Sequence, residues 1–384
     1  MKSIGYILAD FPVFSETFVG DEMRAMSARG HHIVPIVMHL SQGPAQSADR
    51  ALAAQAKTLS GAGWRDVLAV LLHPSPRAFE ALAFVARQRR LPARSLLWNG
   101  LKIAAMARKE DCAHLHAHFS GGSAAHAIVA ARWIGASVSF VCHGHDVYAE
   151  AEDLPLKLRC ADAVVAVCDD MAADLRSLAP EALIVNVPCG SDPDAFLPNS
   201  DAPAAKRILF IGRLVEQKGV DDLLAALALN HKACIDIVGD GPLLASLRAQ
   251  AEALGLGERV CFLGARPREW LLANAPNYFG LIAPFKEAPD GSRDSGPMVV
   301  KEAMAMGLPV VATRFMGLKE MVTSETGFLA DPGDPASLAA AMNELLLLST
   351  EARAQMGQRA RHRMIEVFSL DATSRALSTL FEAA

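Results

Sequence analysis

Two carboxylates eight residues apart, Asp294 and Glu302, frame the most chemically suggestive stretch of this chain. Pro297 between them suits a helix start, where its missing N–H has no partner to lose. Gly307 supplies a C-terminal stop, Pro309 forbids continuation, and Val310 to Ala312 then reads as a buried strand. Asp294 is therefore expected in the loop before a short helix, with Glu302 about a turn and a half inside it. Free N–H groups of the first turn, roughly residues 297 to 300, form an anion site. A carboxylate on each side of that site can grip hydroxyls. An anion flanked by hydroxyl groups is the chemistry of a nucleotide sugar.

A second constellation fits the same ligand. The apolar run Arg207–Gly212 leads into Arg213, Leu214, Val215, Glu216, Gln217, Lys218 and Gly219, and then into a helical pattern over Val220–Leu229. Two cations five residues apart, on a loop with glycine at each end, can bracket a pyrophosphate; Arg offers a planar fork and Lys a point charge. Gly239 and Gly241 lie where another strand turns into a helix, and Val260–Gly264 is a further strand end. Earlier in the chain, the strand Val138–Cys142 ends at His143, and Gly144 lets the backbone approach a ligand before His145 and Asp146. The last two read either as site residues or as a structural pair. After the first strand, Phe11 to Phe18 opens a helix reaching about Arg29, with Ser15 or Thr17 as its N-cap. Glu16 there can bind an acceptor hydroxyl or simply favour the helix dipole.

Short apolar runs alternating with amphipathic stretches must position these residues, which is the signature of parallel α/β organisation. At 384 residues the chain suggests two domains. In the first half the strand runs are Ile4–Ala9, Ile33–Val37, Leu115–His118, Val138–Cys142, Ala163–Val167 and Ile184–Val187. In the second they are Ile208–Gly212, Ile235–Gly239, Val260–Gly264, Leu281–Pro284, Val310–Thr313 and Gly327–Ala330. Between the sets lies a Pro- and Gly-rich segment without helical periodicity. The expected domains are 1–190 and 207–367, joined by a hinge over 191–206 and followed by a last helix over 368–384.

Composition narrows the partners. A net charge of −5 disfavours bulk nucleic-acid binding. The seven cysteines form no C-x-x-C pair and read as buried thiols in a reducing compartment. The first apolar run is too short for a signal peptide, and no run reaches the about 18 residues of a membrane span. A cytoplasmic protein is expected. One local anomaly stands out: Arg87, Arg89, Arg90, Arg94, Lys102, Arg108 and Lys109 occur without an intervening acid, interleaved with leucines and Trp98. That stretch is either a solvated helix face or a peripheral surface for anionic lipid or a lipid-pyrophosphate acceptor.

No metal is expected. Asp192 and Asp194 make a D-x-D pattern, but in the hinge rather than at a strand end. His114, His116 and His118 alternate along one strand face, which fits two core-edge imidazoles and one site residue better than three ligands.

The Asp294 to Thr313 stretch resembles the E-x7-E signature of retaining glycosyltransferases of family 4, with Asp at the first position, one methylene shorter. Arg213 to Gly219 resembles that family's G-R-x-x-x-x-K-G element, and Asp192 with Phe196 its hinge segment. Gly239 to Pro242 is similar to its G-x-G-P turn beside the nucleotide, and Val260–Gly264 to the strand end whose backbone, near Leu263, meets the base. Phe11 to Phe18 resembles the F-P-x-x-S-E-T-F segment of relatives that build bacterial exopolysaccharides.

The resemblance implies a GT-B fold of two Rossmann-like domains facing a central cleft, with the last helix crossing back to the first domain. It implies retaining transfer from a nucleotide-diphosphate sugar to a saccharide or lipid-linked hydroxyl, without a cofactor. Glu302 would bind the ribose, Asp294 the donor sugar, and Arg213 and Lys218 the diphosphate. Gly239, Gly241, Leu263, Gly296, Pro297, Met298 and Val299 would complete the donor site. His143 would face the donor sugar, and Ser15, Glu16, Thr17, His145 and Asp146 belong to the acceptor side. A GT-B epimerase or phosphorylase would use the same clamp, and a non-catalytic nucleotide-sugar-binding subunit would keep Glu302.

Overall fold

The computed structural model describes residues 1–199 and 206–383. Part of the expected hinge, 200–205, and residue 384 lie outside the described residues. The chain divides into two compact units, Met1–Gly190 with Thr373–Ala384, and Ser191–Ala372.

The first unit is built on β1 (Ser3–Phe11), β2 (His32–Leu40), β3 (Lys57–Thr58), β4 (His114–His118), β5 (Ser137–Cys142), β6 (Ala163–Ala166) and β7 (Ile184–Asn186). They form one parallel sheet in the order β3-β2-β1-β4-β5-β6-β7. The sheet is covered by helices, so its strands are near-continuous apolar runs, as Ile4, Ile7, Val138 and Phe140 show by their full burial. β1 and β2 run further than their apolar cores because they stay in register from Ser3 opposite His32 to Phe11 opposite Leu40. The two-residue β3 is too short to leave a periodic signal.

The second unit holds β8 (Arg207–Ile211), β9 (Cys234–Val238), β10 (Val260–Gly264), β11 (Gly280–Ala283), β12 (Val310–Thr313) and β13 (Gly327–Ala330). Its parallel sheet has the order β10-β9-β8-β11-β12-β13. Leu209, Phe210, Ile237, Leu281 and Val311 form the centre of its core.

Each sheet reverses its winding once, between β1 and β4 in the first unit and between β8 and β11 in the second. At such a reversal the connections leave to opposite faces and open a crevice beyond the carboxyl ends of the strands. The loops after β1, β4, β8 and β11 are therefore where ligand chemistry belongs; among the residues singled out above they carry Ser15, Glu16, Arg213, Lys218, Asp294, Gly296 and Pro297.

The final helix, Leu370–Ala383, begins in the second unit and ends in the first. Its Phe381 is fully buried, with its ring 4.5 Å from His114 and 4.8 Å from His116. Ser374 Oγ accepts a hydrogen bond from Arg29 Nε at 2.8 Å.

Candidate active site

In the second unit, the loop after β8 carries Arg213 and Lys218, and the loop after β11 carries Asp294. Lys218 Nζ donates to Asp294 Oδ2 at 2.5 Å and lies 3.9 Å from the centre of the Phe285 ring. The cation is thus held between a carboxylate and an aromatic face. Glycine is required at the end of this loop. Gly219 has φ +62°, and a Cβ there would stand 1.9 Å from the Pro284 carbonyl oxygen. Lys286 Nζ donates to Asp221 at 2.6 Å and fixes the following helix to the same loop. Burial alone would lower the pKa of Lys286, but Asp221 and Asp222 raise it, so it stays charged.

The neighbouring turn is equally close. Gly239 has φ +150°, and a Cβ would sit 1.8 Å from the Gly212 carbonyl. Leu214 N–H donates to the Asp240 carbonyl at 2.9 Å and Gly239 N–H to that of Gly264 at 3.0 Å. The ends of β8, β9 and β10 are therefore laced together by backbone, which brings Gly239, Gly241 and half-buried Leu263 beside the Arg213 loop. Arg213 itself is exposed, and its side chain has no hydrogen bond or ion pair among the described residues.

The short helix spans Met298–Ala305. Pro297 is its N-cap in extended conformation (φ −62°, ψ 119°), one position earlier than the sequence suggested, so the free amides begin at Met298. Gly296 and Val299 are half-buried beside it, and Glu302 lines a narrow crevice with Ile211, Leu271 and Val299. Ser295 was not singled out from sequence. It is fully buried, and its Oγ has no hydrogen-bond partner among the described residues. Its neighbours Asp294 and Gly296 were the visible signal.

In the first unit, His143 follows β5 and is clamped by rings. Phe18 and Phe119 lie 4.7 and 4.6 Å from it by ring centre, and His118 lies nearly parallel at 5.2 Å. His143 Nε2 is 3.0 Å from His118 Nδ1. Asp146 is buried and accepts the N–H groups of Ser120 (2.7 Å), His143 (2.9 Å) and Gly144 (3.0 Å). It fixes the backbone that carries His143. His145 points to solvent, 3.5 Å from Glu150.

The expected capping after β1 does not form. Helix Thr17–Ala28 has Glu16 at its N-cap position without a side-chain cap, and neither Ser15 nor Thr17 supplies one. Glu16 instead lines a pocket of about 440 Å³ with Asp10, Ser41, His118 and Phe119. Burial pushes its carboxyl pKa up, His118 pulls it down, and Asp10 adds a further rise.

The His114, His116 and His118 face, expected to hold two core-edge imidazoles and one site residue, gains an acidic neighbour from outside β4. Glu22, one and a half turns after Glu16's pocket position on the same helix, comes over β4. Glu22, His116 and His118 present ligand atoms all within 4.8 Å of one another. Strand pairing and helix packing create this cluster, which no local pattern announces. In the hinge, Asp192 Oδ1 accepts the N–H of Asp194 at 2.9 Å, an Asx turn.

Among the described residues, no helix is long and apolar enough to cross a membrane. The basic stretch runs from the end of helix Ala78–Arg87, through Arg89 and Arg90 on the connection, into helix Ala93–Lys109. Lys102 donates to the Leu59 carbonyl, Arg108 to that of His73, and Lys109 to Asp66, while Arg87, Arg89, Arg90 and Arg94 are exposed.

Comparison with known proteins matches residues 15–195 to Glycosyltransferase Family 4 and residues 198–363 to Glycosyl transferases group 1. The chain is 26% identical over 99% of both chains to WcaL of Escherichia coli K12, named for a colanic acid biosynthesis glycosyltransferase. It is 32% identical over 36% of its length to AmsK of Erwinia amylovora, named an amylovoran biosynthesis glycosyltransferase. Among solved structures, Anabaena HepE in complex with UDP superposes with a TM-score of 0.74 at 18% identity over all of both chains.

Proposed function

We propose, from the premise that the chain belongs to the glycosyltransferases that join a family 4 domain to a group 1 domain on the GT-B fold, that it transfers a sugar from a nucleotide-diphosphate donor to a hydroxyl with retention of configuration. The acceptor is a saccharide or lipid-linked glycan of the bacterial cell envelope or exopolysaccharide. What supports an exopolysaccharide acceptor is the full-length similarity to WcaL and the partial similarity to AmsK.

The observation that carries the donor reading lies in the second unit. Arg213, Lys218 and Asp294 gather at the reversal of its sheet, next to the amino end of helix Met298–Ala305. As the bond from sugar to phosphate breaks, negative charge grows on the departing diphosphate. Arg213, Lys218 and the free amides from Met298 onward are groups of the right sign, and Lys218 and the helix amides are already fixed before reaction. Glu302 would hold ribose hydroxyls, Asp294 the donor sugar, and the laced turns of Gly239, Gly241 and Leu263 the nucleoside. These positive groups supply the charge that a divalent ion gives a D-x-D enzyme, so diphosphate departure needs no metal there. With no side chain among the described residues assigned as a nucleophile toward the donor, the acceptor attacks from the leaving group's face and the phosphate takes its proton.

In the first unit, Asp146 and His118 hold His143 at the end of β5, and the Glu16 pocket takes acceptor hydroxyls. A peripheral membrane face would bring a lipid-linked acceptor within reach. Exposed Trp64, Leu68, Leu72, Phe79 and Trp98 lie on helices that pack together and carry exposed Arg87 and Arg94, with exposed Arg89 and Arg90 on the connection between two of them. That combination complements an anionic bilayer.

A melting-temperature screen against a panel of nucleotide sugars tests the donor reading. One donor class should raise the melting temperature of the wild type and leave Lys218→Ala unshifted. If no nucleotide sugar shifts the wild type, the donor site is misassigned.

A further inference from the structure

Three side chains in the first unit converge, and two of them, both imidazoles, leave one ring nitrogen without a hydrogen bond. His116 and His118 project from the same face of β4 and are buried at 0% and 2% exposure. Their Nε2 atoms have no hydrogen-bond partner among the described residues. They point at Glu22 Oε1, from 3.5 Å for His116 and 3.3 Å for His118. Buried polar atoms are normally satisfied, so two unpaired imidazole nitrogens aimed at one carboxylate need an explanation.

The other ring nitrogens are already occupied. His116 Nδ1 lies 2.7 Å from Ser139 Oγ, which lies 2.7 Å from His114 Nε2. His114 Nδ1 in turn lies 2.7 Å from Ser137 Oγ. One consistent polarity has His114 Nδ1–H donating to Ser137, the Ser139 hydroxyl donating to His114 Nε2, and His116 Nδ1–H donating to Ser139. It leaves a bare lone pair on His116 Nε2. His118 Nδ1 is engaged by His143 Nε2 at 3.0 Å. Tyr6 Oη donates to Glu22 Oε1 at 2.9 Å and orients the carboxylate.

We propose that Glu22, His116 and His118 form a site for one divalent transition-metal ion of zinc type. Ligand atoms about 2.0–2.1 Å from a tetrahedral ion stand roughly 3.3 Å apart, which is long for a hydrogen bond and right for a coordination edge. Two imidazoles and one carboxylate with an open position are a donor set such ions take. The supporting shell has the expected form, each ligating histidine being tied through its other nitrogen and the carboxylate by a phenol. Coordination at His118 Nε2 makes His118 an Nδ1–H donor toward His143 Nε2. The ion therefore fixes the tautomer of His143, with its proton on Nδ1, toward Cys189 Sγ at 3.8 Å. This site lies wholly in the first unit and stands independently of the donor reading.

The test uses the full chain, stripped with chelator, dialysed, and titrated with Co²⁺ and Zn²⁺. One equivalent of Co²⁺ should produce visible d–d absorption, Zn²⁺ should displace it, and elemental analysis should find one zinc per chain. Glu22→Gln and His116→Ala should each weaken binding by about a hundredfold or more, while exposed His145→Ala should bind as the wild type does. Far-UV circular dichroism identifies any variant that fails to fold, and the wild-type spectrum decides the matter without it. A wild type that gives no d–d absorption with Co²⁺ overturns the site. Folded Glu22→Gln and His116→Ala chains that bind like the wild type overturn it as well.

Discussion

Lys218 Nζ and Asp294 Oδ2 form a 2.5 Å ion pair across the reversal of the second sheet, and Phe285 covers the ammonium. On the proposed donor reading, the cation meant for a diphosphate and the carboxylate meant for a sugar are one electrostatic unit before any ligand arrives. Donor binding has to divide that pair between two ligand groups.

Their effects on turnover should be coupled. Lys218→Ala alone should lower kcat/KM by about a hundredfold, about 3 kcal/mol of transition-state stabilisation. Adding Asp294→Asn should cost less than the sum of the two single losses, by about 1–2 kcal/mol in a double-mutant cycle. Strictly additive losses would mean that the pair does not act as a unit.

The exposed arginines give a separate prediction. Charge reversal at Arg89, Arg90 and Arg94 should abolish sedimentation with vesicles rich in anionic lipid, and wild-type binding should weaken as salt rises. Wild-type protein that stays in the supernatant leaves a solvated face only.

Both sites were partly written in local sequence. The strand runs, the two helix starts and the Arg213 to Gly219 loop could be read because parallel strands buried on both faces are apolar and because Gly and Pro punctuate their ends. Pro297 shifted by one position because proline fits an N-cap in extended conformation as well as a first turn. Glu16 took the N-cap position from Ser15 and Thr17, since the backbone turn from Val13 to Glu16 sets the helix entry. Glu22 was invisible as a partner of His116 and His118 because their meeting depends on how the helix crosses β1 and β4. Ser295 was missed although its neighbours Asp294 and Gly296 pointed to the loop, and Phe285 because nothing beside it in sequence marks a ring against a cation.

Acid stability offers a test of the first unit's framework. Asp162 accepts from Arg132 at 2.7 and 3.0 Å, from Arg77 at 3.1 Å and from Val138 N–H at 2.8 Å. Burial alone would raise its pKa, but the Arg132 hydrogen bond and charge, with the other donors, hold it below the usual carboxylate range. A depressed folded pKa contributes stability above the unfolded value of about 3.9 and loses it as pH falls through the folded value. Asp162→Asn should therefore be less stable at pH 7 by about 3 kcal/mol, with a melting temperature that falls less steeply than wild type below about pH 4. Parallel wild-type and variant curves by calorimetry would contradict this.

The central claim is retaining transfer from a nucleotide sugar gripped by Lys218, Asp294 and Glu302. Proton NMR of the reaction with the donor found in the screen and a hydroxyl acceptor reads it directly, through the anomeric coupling of the new linkage and its rate of appearance. The product should keep the donor's anomeric configuration, and folded Glu302→Gln should form it at least about a hundredfold more slowly. An inverted product, or transfer by Glu302→Gln at the wild-type rate, would contradict the account.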